Sequence, residues 1–66
     1  MNKELKELYL YGYKVFGDKT KFHLWLESKS SDLNGQTPAS FLIKPYGIAI
    51  LIGVLKKKEK NNQDIF

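Results

Sequence analysis

The stretch "LNGQTPASFL", Leu33 to Leu42, decides how this chain folds. Asn34 and Gly35 tolerate positive φ, so the backbone can turn back there at little steric cost. Thr37 stands where a helix N-cap belongs, and Pro38 at the first helical position, where a missing N–H is no loss. Leu33 anchors the loop to a core, and Phe41 and Leu42 return the chain to it. Lys44 precedes Pro45 and is biased away from helical geometry. The reading is a short third helix, a stop, and a fourth helix that Pro45 opens as Pro38 opens the third.

Toward the N-terminus, Leu5, Leu8, Gly12 and Val15 form one stripe, with Tyr9, Tyr13 and Phe16 beside it. Spacings of three and four predict a helix from Asn2 to Phe16. Gly17 ends it, because glycine takes the left-handed cap conformation without strain. Asp18 is the N-cap of a second helix reaching Ser28, with Phe22, Trp25 and Leu26 inward. The fourth helix, Pro45 to Lys60, is apolar on nearly every side from Ile48 to Leu55. Such a helix is either enclosed or meets a second surface, and Ala49 and Gly53, four apart, admit a close approach. The expectation is an all-α single domain of about four helices, a small helical bundle over residues 1–60, with a C-terminal tail at 61–66. Phe16, Trp25, Leu26, Leu33, Phe41 and Leu51 are expected at its centre.

A chain of 66 residues is one small domain. At that size roughly 60% of the unfolded surface can be buried, so the core must be efficient. There is no cysteine, which excludes disulfides and thiolate metal sites and fits a reducing compartment. The longest apolar run, Gly47 to Leu55, falls well short of the ~20 residues that span a membrane. The charged N-terminus carries no signal-peptide pattern. A soluble, cytoplasmic protein with no membrane role is expected. The formal charge is +4, and residues 44–66 hold five lysines against Glu59 and Asp64. Arginine is absent, so the planar fork favoured for phosphate and guanine is missing.

Catalytic constellations are not evident. His23 is the sole histidine, with Glu27 one turn on, and is read as a structural residue. Asp18 and Asp32 are read as a cap and a loop residue, not as an acid–base pair. No metal-ligand spacing and no phosphate loop occur, so no enzyme activity, metal or cofactor is expected. Tyr9, Tyr11 and Tyr13 are two apart on one helix and cannot all face inward, which leaves Tyr11 in solvent. The lysines from Lys56 to Lys60 complement the end of a helix dipole. They also carry an alternative function, a small nucleic-acid-binding accessory protein that uses this cluster.

Several features occur in a recognisable order: Phe16, Gly17 and Asp18; Trp25 and Leu26; Leu33, Gly35, Thr37 and Pro38; Phe41 and Leu42; then Gly47 and Leu55. This order resembles the toxin-binding domain of the Xre/MbcA/ParS-type antitoxins, over about residues 13–55. The resemblance implies a relative without the N-terminal helix-turn-helix region of fuller members, one that binds and inhibits a toxin enzyme. The implied partner is a RES-type, NAD-consuming protein toxin, with self-association a further option. It also implies contact through the last helix and C-terminal tail, at Ile48, Ile52, Leu55, Lys56, Lys58, Lys60 and Asn61. In that picture the lysines suit a pocket that handles an anionic, doubly phosphorylated substrate. The family's last helix often ends in an Ile-x-x-Gly-like segment, where this chain runs into "KKKEKNNQDIF".

Overall fold

A computed structural model describes residues 3–63 of the chain, and the side chains of residues 3–60. It is all-α: helix α1 spans Lys3–Phe16, α2 Lys19–Glu27 and α3 Gly47–Gln63, with single 3-10 turns at Ser31–Leu33 and Pro38–Phe41 between the last two. The expected third helix is therefore one 3-10 turn. Thr37 occupies its N-cap position without a side-chain cap bond. The Thr37 carbonyl instead accepts from Ser40 Oγ at 2.6 Å. Four residues followed by a proline-containing turn give no length over which α-helical bonds could propagate.

The joints are fixed by backbone conformation. Gly17 has φ +73°, and its N–H donates to the Tyr13 carbonyl at 2.8 Å, closing α1. Asp18 follows in extended geometry and accepts from the Thr20 N–H, capping α2. In the loop after α2, Ser30 and Gln36 form an isolated antiparallel bridge. The Ser30 carbonyl takes the N–H groups of both Leu33 and Gly35. Asn34 and Gly35 both have positive φ, as their types predict.

The start of α3 differs from expectation. Pro45 does not open the helix; it is the second residue of a turn in which the Gly47 N–H donates to the Lys44 carbonyl at 2.9 Å. Tyr46 occupies the third position with φ +61°. Proline second and positive φ third are the marks of a type II turn, in which glycine is the usual third residue. A left-handed conformation costs a non-glycine residue about 1–2 kcal/mol. Gly47 comes next because a Cβ there would strike the Phe41 carbonyl.

The core lies where the three helices meet, and comprises Leu8, Phe22, Leu26, Leu33, Leu51 and Leu55. Leu26, Leu33 and Leu51 take their expected places in it. Phe16, Trp25 and Phe41 are instead half-buried and pack around its edge. The Trp25 ring stacks on Phe22 with centroids 5.9 Å apart and leans on Phe16. The domain is too small to wrap an indole on every side, so the smaller leucines take the centre and the indole covers them. Gly12 is buried because the Phe22 ring lies against its backbone.

Candidate partner-binding face

In α3, Leu51 and Leu55 are fully enclosed, and Ile48, Ile52 and Val54 pack against the core. The exposed positions are Ala49, Ile50, Gly53, Lys56, Lys57 and Lys60. Their spacings of three and four put them on one outward stripe. The stripe is apolar in its first half and cationic in its second. Tyr46, one turn before Ile50 and 85% exposed, extends the apolar half, and Ile43 in the preceding turn is 91% exposed. A Cβ added at Gly53 would meet nothing within 4 Å, so the backbone is open to a neighbour there.

Polar contacts hold the basic end of α3 to the body of the domain. Asp32, in the first 3-10 turn, lies 3.4 Å from Lys57 Nζ and 3.9 Å from Lys58 Nζ. On another side of the helix the Tyr11 hydroxyl donates to Glu59 Oε1 at 2.7 Å. That bond, together with burial and the carboxylate charge, raises the Tyr11 pKa above its ordinary value. Lys56 and Lys60 have no ion-pair partner among the described residues.

The seven expected contact residues therefore separate. Leu55 is sealed in the core and is unavailable to a partner. Ile48 and Ile52 are half-buried on the inner flanks, and half-buried Lys58 leans toward Asp32. Lys56 and Lys60 lie on the open stripe. Asn61's side chain and the tail beyond residue 63 lie outside the described residues, although α3 itself continues through Gln63. Ile43, Tyr46 and Ile50 are contact candidates that helical periodicity alone does not single out. The signal that could have found them is the Pro45-Tyr46-Gly47 order, a turn whose third residue is aromatic.

Tyr11 also departs from expectation, being half-buried and turned to Glu59 rather than left in solvent. His23 sits among Tyr9, Tyr13 and Phe22 and meets the Tyr13 hydroxyl at 3.3 Å, rather than pairing with Glu27. Shallow grooves flank this seam, and exposed Leu10 and Leu24 lie along them on α1 and α2. Among the described residues no three His, Asp or Glu side chains converge as metal ligands, and no helix is long and apolar enough to cross a membrane. Comparison with protein-family models, with curated proteins and with solved structures finds no match to the chain.

Proposed function

We propose that this chain is a small helical binding domain of the antitoxin type, which inhibits a RES-type, NAD-consuming toxin by docking α3 on it. The observation that carries the reading is the open half of α3. The core closes on Leu51 and Leu55, yet Tyr46, Ala49, Ile50 and Gly53 continue as an apolar surface that the domain leaves uncovered. A contiguous apolar strip on so small a domain is the mark of a partner site. The ordered motif from Phe16 to Leu55 supplies the class of partner. The lysines have a different role from mimicry of a substrate. A pocket that grips a pyrophosphate offers positive charge and would repel Lys56 and Lys60, so these residues belong on an acidic rim outside it.

The test is co-expression in bacteria with a RES-type enzyme from the same genome, reading cellular NAD and survival. Retained NAD, restored growth and a stable complex are expected. An equal fall in NAD with and without the chain would sink the reading. The nucleic-acid alternative has less to rest on, because two lysines of its cluster, Lys57 and Lys58, lie 3.4 Å and 3.9 Å from the Asp32 carboxylate.

A further inference from the structure

We infer that Tyr46, with Ile50 one turn on, is the anchor of this face, and that its occupant is a protein surface with an apolar recess bordered by carboxylates. The inference rests on the binding-domain reading above and places the centre of contact at the turn that opens α3. Three observations carry it.

The first is Tyr46 itself. It stands at φ +61° in a turn where glycine is unstrained, and its side chain is 85% exposed. The fold gains no packing from a tyrosine there, and strain that goes unrewarded inside a domain marks a residue kept for contact outside it. Tyrosine is also a side chain that recurs at the energetic centre of interfaces, since its ring is large and loses little rotamer freedom.

The second is continuity. The Ile50 N–H donates to the Tyr46 carbonyl at 3.1 Å, so Tyr46 closes the first turn of α3 and Ile50 lies one turn on. The open Gly53 backbone follows one turn further on. A protruding aromatic beside an open backbone fits a partner with a recess and a closely approaching wall.

The third is charge. Among the described residues, the outward stripe of α3 contains Lys56, Lys57 and Lys60 and no carboxylate. Asp32 already faces Lys57 and Lys58, and Glu59 is taken by Tyr11. A second copy docked through this same stripe would therefore bring lysines and no counter-charge to it. An acidic rim on a different protein supplies what the stripe lacks.

The experiment places the photo-crosslinker p-benzoylphenylalanine at Tyr46, and separately at Leu24 as a control face, in the full chain expressed in its host. The adduct is mapped by peptide mass spectrometry, and the captured protein is then purified for binding measurements. Expected is an adduct at Tyr46 with one protein, on an apolar segment with Asp or Glu close by. Tyr46→Gly should weaken binding by roughly tenfold or more, as loss of an interface anchor does, without lowering the melting temperature of the free chain. The double reversal Lys56→Glu and Lys60→Glu should weaken it as well, by an amount that shrinks as salt rises. Adducts at Leu24 alone, no adduct at Tyr46, an adduct with a second copy, or an adduct with nucleic acid would each overturn the inference. The toxin reading fails separately. A captured protein that consumes no NAD would remove the toxin and keep the anchor, whereas a toxin equally inhibited by the Tyr46→Gly chain would do the reverse.

Discussion

The edge of the Phe22 ring occupies the space that a side chain at Gly12 would need, so α1 and α2 meet as backbone against ring. Phe22 is fully buried and is itself held by Tyr9, Tyr13, Phe16 and Trp25 around it. The ring has nowhere to move. Gly12→Ala should thus cost stability, although alanine favours a helix by about 1 kcal/mol over glycine. Overpacking a filled core costs about 1–3 kcal/mol and should exceed that gain. Urea unfolding of the variant checks this, and adding Phe22→Leu should recover part of the loss. A variant more stable than the parent would show that α1 and α2 have slack between them.

Gly53 predicts the opposite sign from the same substitution. It lies mid-helix with nothing within 4 Å of an added Cβ. Gly53→Ala should stabilise the free chain by roughly 1 kcal/mol, through helix propensity and a less disordered unfolded state. Gly53→Leu should leave the free fold intact yet weaken partner binding, because it fills the opening on the stripe. Thermal melts and a binding titration separate the two effects. A destabilised Gly53→Ala chain would mean that the space is already taken.

The contrast between these glycines shows what is legible in the sequence. The spacing of Gly12 with Leu5 and Leu8, and of Gly53 with Ala49, marks them as helical, but only the packed fold shows one covered and the other open. Gly17, Asp18 and Asn34-Gly35 can be read directly, because their caps and turns are local events governed by a few dihedrals. Pro45 cannot, since proline at the first helical position and proline second in a type II turn have the same local signature. The deciding fact is non-local: Gly47 passes against the Phe41 carbonyl. The lysine run likewise looks uniform in sequence, and Asp32 and Tyr11, far away along the chain, engage its middle, Asp32 at Lys57 and Lys58 and Tyr11 at Glu59.

The cap on α2 gives a prediction independent of the core. Asp18 has φ −160° and ψ 132°, and its carboxylate accepts from the Thr20 N–H at 2.7 Å. Asp18→Ala leaves that N–H to solvent and should cost about 1 kcal/mol, while Asp18→Asn, which keeps an acceptor oxygen, should cost much less. Denaturant midpoints of the three chains test the order. Equal losses for Ala and Asn would point to the charge of Asp18 near the helix N-terminus as the source of the effect rather than its hydrogen bond.

The hydrogen bond between Tyr11 and Glu59 ties α1 to the basic end of α3 and should leave a signature in pH. Glu59 accepts from the neutral hydroxyl, which, with burial and the carboxylate charge, raises the folded-state pKa of Tyr11. An unfolded tyrosine titrates near pH ~10. The folded chain therefore holds this proton more tightly than the unfolded chain does. The sign follows: the stabilisation is fully present below the unfolded pKa and is lost as pH rises through the folded one. Tyr11→Phe should be less stable than the parent by a constant amount from neutral pH up to about 9, with the gap closing above about 10. The measurement is the difference between the two chains, followed by urea unfolding at each pH. Amide exchange should show where the loss falls, with faster exchange around residues 56–60 of α3 in Tyr11→Phe. A gap that stays constant through the alkaline range would mean that the hydroxyl does not rest on Glu59 in solution, and the basic end of α3 would then be held by Asp32 alone.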